Sequence, residues 1–166
     1  MESVGMAVAT YVGQNYGAKR MDRIKSGIRA GMIITVVYCA AAWAALLVLK
    51  KPAVYLLLGE VTSAEALASM EYLSIISSLL VVLGTMMVFR NTVQGMGYGA
   101  SALASSVMEI IGRSAAGLLA VHFGSFFLIC VSAPMAWGLA CVCCVLLCVY
   151  YLSKESRRHP DMVKKA

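Results

Sequence analysis

Charged residues are scarce in this chain. They make up 13% of its 166 residues, against about 25% in ordinary globular domains, whereas hydrophobic residues make up 61%. Proline is also rare, with three residues, which excludes collagen-like and low-complexity classes. The composition therefore predicts a membrane protein. The 14 basic residues outnumber the 8 acidic ones, and in such a chain this excess indicates membrane topology rather than binding to nucleic acid.

The sequence has little that catalysis would need. It contains no GxxxxGK[ST] phosphate loop, and the glycines after Gln94 lack the following strand–helix pattern of a nucleotide site, so they indicate a turn. The two histidines, His122 and His159, fall in a predicted outer connection and in the C-terminal tail, away from any nucleophile. We therefore expect neither an enzyme nor a cofactor.

The six cysteines do not form a metal-binding pattern. A zinc site favours CxxC pairs flanked by polar loops, but these cysteines are surrounded by Val, Leu and Ala. They are predicted to be small apolar residues on helix surfaces: Cys39, Cys130, Cys141, Cys143, Cys144 and Cys148.

Four segments are long and apolar enough to cross a bilayer as helices, which takes about 20 residues. Membrane helices are predicted at 30–49, 66–96, 99–122 and 133–152, with Pro134 in the first turn of the last one. Residues 1–17 are predicted to be the end of a further membrane helix that begins before this sequence. The expected fold class is thus an all-α membrane protein with four complete transmembrane helices and the end of a fifth.

The connections carry the topology signal. A basic cytoplasmic loop is predicted at 18–29 and a basic cytoplasmic tail at 153–166, whereas 50–65 and 123–132 are predicted outer connections. Four crossings place both basic segments on the same side, which the positive-inside rule assigns to the cytoplasm. We therefore expect a multi-pass protein of the plasma (inner) membrane with a cytoplasmic C-terminus.

The outer connection at 50–65 contains a small apolar cluster at Val54–Leu58. We expect this cluster to form a short helix lying flat at the membrane surface, and a re-entrant loop is the alternative.

Two groups of polar residues inside the predicted spans are candidate site residues. Glu109 and Arg113 are four apart and so share one helix face. They form either an internal ion pair that orients the helix or part of a water-filled cavity, in which the carboxylate binds a proton, Na⁺ or a cationic substrate. In a third interpretation, Glu109 lies at a wet mouth of the protein.

The second group precedes the predicted turn after the second span. It consists of Arg90, Asn91 and Gln94. The simplest interpretation is an arginine that snorkels to the cytoplasmic surface before a tight turn, and a transport site is the alternative. Glu71, at the other end of this span, is interpreted as an interface residue.

Several segments in order resemble the multidrug and toxic compound extrusion (MATE) family of transporters. The segment TYVGQNYGAKR at 10–20 is similar to a conserved helix end of that family, followed by a basic loop. The segments EYL at 71–73, RNTVQGMG at 90–97, EIIGR at 109–113 and PMAW at 134–137 follow in the same order as in the C-terminal part of the family. The resemblance extends from about Val4 to Leu152.

The resemblance implies a twelve-helix fold in two lobes, of which this chain supplies the C-terminal part. It further implies export of organic cations and other amphiphiles in exchange for Na⁺ or H⁺. The expected partners are a lipid bilayer, a cationic or amphiphilic small molecule and the N-terminal lobe of the same transporter. Because 72–89 contains no acidic residue, Glu109 is the only acid deep in this half.

Other functions are compatible with the residues alone. The chain is alternatively a self-contained four-span protein that oligomerises as a small exporter, channel or scaffold. A flippase of related architecture is a third alternative, because a fold does not determine its substrate.

Overall fold

A computed structural model describes residues 1–158, apart from the side chain of Ser101. Every secondary-structure element in this part of the chain is a helix, which confirms the all-α class. The helices are α1 (Glu2–Gly17), α2 (Met21–Leu58), α3 (Ala64–Ser78), α4 (Leu80–Gly95), α5 (Gly99–Phe123) and α6 (Phe126–Arg158). Residues 159–166 of the predicted tail, including His159, lie outside the described residues.

Three helices are long and apolar enough to cross a membrane, namely α2, α5 and α6. The pair α3 and α4 passes the same test together, although the two helices are bent by 43° at Leu79. By length and composition, the described residues thus hold three helices that could span a membrane, or four if the bent pair forms one span. This supports a multi-pass membrane protein.

Helix α2 begins earlier than the sequence predicted. The basic segment at 18–29 is non-helical only at 18–20, since α2 starts at Met21. Met21 and Ile24 are almost completely buried, and Ile28 is buried beside them. This spacing puts apolar side chains on one helix face. The burial of that face stabilises the helix on the N-terminal side of the span predicted at 30–49.

Helix α2 also ends later than predicted. It continues through Pro52 to Leu58, so the apolar cluster at Val54–Leu58 is the last part of a 38-residue helix rather than a separate short one. A proline in a helix removes one backbone donor, but the remaining hydrogen bonds carry the helix past it. Gly59 ends α2 in the left-handed conformation, with φ of 74°.

The last helix differs from its predicted limits in the same way. The connection expected at 123–132 is reduced to Gly124 and Ser125, and α6 runs from Phe126 to Arg158. Pro134 is buried in the interior of α6 rather than in its first turn.

Helices α4 and α6 lie at the centre of the bundle. Helix α4 contacts the other five helices, whereas α5 packs mainly on α6. One end of the bundle holds the turns at 18–20 and 96–98 and the C-terminus of α6. We call it the basic end. The main core lies toward this end: Val8, Val12, Met21, Ile24, Ile28, Val88, Val93, Met96 and Cys148.

Much of the apolar surface is not covered by the bundle itself. Only 11% of the most apolar stretch of α2 is buried, and 28% of that of α6. Water-exposed helices would carry polar residues on such faces, so these surfaces fit a lipid or protein environment.

Glycines bring α1 and α4 into close contact. A Cβ atom added at Gly95 would lie 2.5 Å from the Ala9 carbonyl oxygen, and one at Gly5 would collide with the side-chain amide of Asn91. Because the Ala9 backbone cannot rotate aside, the approach of the two helices requires a glycine at position 95.

Candidate functional site

Glu109 and Arg113 form an ion pair on α5. The Nη2 atom of Arg113 donates to Oε1 of Glu109 at 2.9 Å. The carboxylate side chain is 25% exposed and the guanidinium side chain 55%. The spacing of four residues sets this distance, because one helical turn brings both side chains to the same face.

The pair lies in a groove of mixed polar and apolar surface whose lining residues all come from α5. They are Ser106, Glu109, Ile110, Arg113 and Ser114. Apolar residues flank this strip, and Ile110 is 65% exposed. The bundle therefore leaves an ionic, hydroxyl-bearing helix face uncovered, although charge in a membrane helix is costly unless it faces protein or water.

A second groove lies between α1 and α4. It is lined by Glu2, Met6, Met87, Arg90, Asn91 and Gln94. The three predicted residues of α4 thus lie together, and α1 adds a carboxylate and a thioether to them. The structure places this group and the Glu109–Arg113 pair in different grooves.

Asn91 is held in place by its own helix. Its Nδ2 atom donates to the Met87 carbonyl oxygen at 2.8 Å, and its amide packs against Gly5 of α1. The Oδ1 atom remains available as a hydrogen-bond acceptor, and the bond to Met87 fixes the orientation of the amide that carries it.

A buried polar cluster at the basic end was not predicted from the sequence. The Tyr98 hydroxyl donates to Oε1 of Glu155 at 2.7 Å, and the Tyr98 ring stacks on Tyr151 at 3.8 Å between centroids. The side chain of Tyr16 lies beside both Tyr98 and Glu155. Glu155 is 3% exposed. In the sequence, the only indication of this cluster is that Glu155 is an acidic residue one helical turn after Tyr151, within a basic segment.

The described residues do not suggest a metal centre. No group of three or more metal-ligating side chains occurs within 1–158, and the six cysteines are free thiols. They were predicted as small apolar residues on helix surfaces; four of them, Cys39, Cys130, Cys144 and Cys148, lie on helix surfaces that are buried inside the bundle, and Cys141 and Cys143 are partly exposed.

Comparison with known proteins identifies the family. The model of the MatE family matches residues 1–113, which include α1 to α4 and the part of α5 that ends at Arg113. No curated protein and no solved structure matches the chain. The match covers 113 of 166 residues, more than half. The chain therefore belongs to the MatE family, whose members are membrane transporters for the efflux of drugs and toxic compounds.

Proposed function

We propose that this chain forms part of an antiporter that exports organic cations in exchange for Na⁺ or H⁺. The observation that carries the proposal, together with the family, is the Glu109–Arg113 pair on a face of α5 that the bundle leaves uncovered. In a transporter, such a face lines the passage between two lobes. The partner facing it is the N-terminal lobe of the same transporter.

Glu109 is the residue to which we assign ion coupling. One of its oxygens accepts from Arg113, and the other makes no hydrogen bond within the described residues. A proton or Na⁺ bound at this carboxylate competes with the guanidinium and releases it. Because Arg113 is half exposed, its side chain has room to move away when this happens. The charge on the wall of the passage then depends on whether the ion is bound. The ion and the substrate therefore differ in their affinity for two states, one in which Arg113 is paired with Glu109 and one in which it is released.

The membrane orientation follows from the basic residues. Lys19, Arg20 and Arg157 lie at the basic end of the bundle. We assign this end to the cytoplasm, by the positive-inside rule, and the protein to the plasma (inner) membrane.

Efflux of ethidium from cells that express the protein from its own gene tests the proposal. We expect the wild type to lower ethidium accumulation, and we expect Glu109→Gln to abolish the dependence of efflux on the Na⁺ or H⁺ gradient. Glu60→Gln is the matched control, because Glu60 is an exposed acid in the turn between α2 and α3.

The outcomes separate two conclusions. Efflux by Glu109→Gln with unchanged dependence on Na⁺ and pH would remove Glu109 from ion coupling. Wild-type cells that accumulate as much ethidium as cells lacking the gene would contradict organic-cation export itself.

A further inference from the structure

We propose that the groove between α1 and α4 binds a zwitterionic amphiphile, with Arg90 holding its carboxylate and Glu2 its ammonium group. The physiological meaning of this site rests on the proposed transport function, but binding to it does not. The site is distinct from the Glu109–Arg113 pair, which lies on α5.

Arg90 lacks an anionic partner among residues 1–158. The two ion pairs in this part of the chain join Arg20 to Asp22 and Arg113 to Glu109, and none of its carboxylates lies within 4.0 Å of the Arg90 guanidinium. Arg90 is half-buried, five residues before the end of α4. A shielded guanidinium without a counter-charge is costly, and its planar donors match a carboxylate.

Glu2 supplies the opposite charge on the other wall of the groove. It lies in the first turn of α1 and forms no ion pair within the described part of the chain. Arg90 and Glu2 thus line one groove without touching each other. A simple cation entering the groove meets repulsion from Arg90, and a simple anion meets repulsion from Glu2. A molecule that carries both charges satisfies both side chains.

The two walls are held at a fixed spacing. The contacts of Gly5 with Asn91 and of Gly95 with Ala9 lock α1 against α4 beside the groove. Asn91, fastened to the Met87 carbonyl oxygen, offers its Oδ1 atom as a second acceptor for an ammonium group. Groups held in place before binding cost less to order when the ligand arrives.

The remaining lining indicates what the ligand carries besides its charges. Met6 and Met87 contribute flexible, polarisable thioethers from the two walls, which suit a flat apolar or aromatic body. The groove has a volume of about 270 Å³, slightly below the range of about 300–1,000 Å³ for sites of drug-sized ligands. The ligand is therefore a small amphiphile with one ring system.

Three fluorescent probes with the same apolar body test the assignment. Dansyl-lysine carries a free carboxylate and a free ammonium group, dansylglycine only the carboxylate and dansylcadaverine only the ammonium group. We measure their dissociation constants for the purified protein in detergent, with protein-free micelles as the blank. We expect dansyl-lysine to bind roughly tenfold more tightly than either of the others, since one satisfied charge pair contributes about 1.4 kcal/mol or more.

Substitutions identify which charge each residue holds. Arg90→Gln removes the advantage of dansyl-lysine over dansylcadaverine, and Glu2→Gln removes its advantage over dansylglycine. Arg90→Lys keeps the charge and restores part of the preference, so it tests the same contact if Arg90→Gln does not fold. Arg29→Gln, at an exposed arginine of α2, leaves all three constants unchanged.

Equal binding of dansyl-lysine and dansylcadaverine to the wild type would overturn the proposal, as would a preference that survives both charge-removing substitutions. Failure of this site and failure of the transport function are distinguishable. Charge-selective binding without ethidium efflux supports the site and contradicts organic-cation export. Ethidium efflux without charge-selective binding supports export and contradicts the site.

Discussion

The Tyr98 hydroxyl donates a 2.7 Å hydrogen bond to the Glu155 carboxylate and so fastens the turn between α4 and α5 to the end of α6. Glu155 is 3% exposed, and the ring of Tyr98 stacks on Tyr151 in the same place. A buried carboxylate is stable only where hydrogen bonds replace its hydration. This contact therefore ties together two helix ends that the chain separates by 57 residues.

Tyr98→Phe removes that donor while it keeps the stacked ring. We expect a loss of about 1–3 kcal/mol in the free energy of unfolding, because a buried acceptor loses a bond to a neutral donor. Thermal unfolding in detergent measures the effect. Tyr150→Phe is the control, since Tyr150 is 58% exposed and should change little. Equal melting temperatures for Tyr98→Phe and the wild type would show that the bond does not contribute to stability.

Alkaline pH should weaken the same contact. The hydrogen bond to Glu155, followed by burial, raises the pKa of Tyr98 well above its ordinary value. The unfolded chain releases this proton near pH 10, whereas the folded chain retains it, so the contribution is complete below about pH 10 and is lost as the pH rises further. Unfolding measured at pH 9 and pH 11 should show a smaller alkaline loss in Tyr98→Phe than in the wild type. Identical losses in both proteins would contradict the assignment.

Gly95→Ala should push α1 away from α4. The added Cβ would lie 2.5 Å from a backbone oxygen of Ala9, which cannot rotate aside. We expect a destabilisation of about 1–3 kcal/mol, typical of overpacking. Gly138→Ala is the matched control, since no heavy atom lies within 4 Å of its added Cβ and alanine favours the helix by up to about 1 kcal/mol. Similar melting temperatures for the two variants would argue against the close approach.

Labelling of single cysteines determines the number of crossings. In a variant without the six native cysteines, we introduce one cysteine at Lys25, Glu60 or Arg157, all of which are exposed. If α3 and α4 form one bent span, Lys25 and Arg157 lie on the same side of the membrane and Glu60 on the other. If this pair does not cross, Lys25 and Arg157 lie on opposite sides. Accessibility to a membrane-impermeant maleimide in cells distinguishes the two arrangements.

Helix positions could be predicted from apolar runs, but helix ends could not. The membrane helix predicted at 30–49 ends before Lys50, Lys51 and Pro52, yet α2 continues past them to Leu58. Sequence rules weigh each residue by its local cost, whereas the helix loses a single backbone donor at the proline and keeps its other hydrogen bonds. Val54, which is 2% exposed, adds one buried side chain beyond the proline.

The two candidate sites also differ in whether the sequence alone predicts them. The Glu109–Arg113 pair is separated by one helical turn, so its geometry follows from spacing alone. The groove that joins Glu2 to Arg90 requires the approach of α1 to α4, which no local pattern near either residue indicates. The role of Glu155 was missed because, in the sequence, it is one acid among basic residues.

The sequence by itself determined the helical, membrane-embedded character of this protein, its family and the closeness of Glu109 and Arg113, which are one helical turn apart. These properties depend on composition and on contacts a few residues apart, which each segment carries with it. Only the tertiary structure decided that Glu155 is buried against Tyr98 and that Glu2 faces Arg90 across a groove. Such contacts join residues far apart in the chain, and they exist because packed helices bring them together.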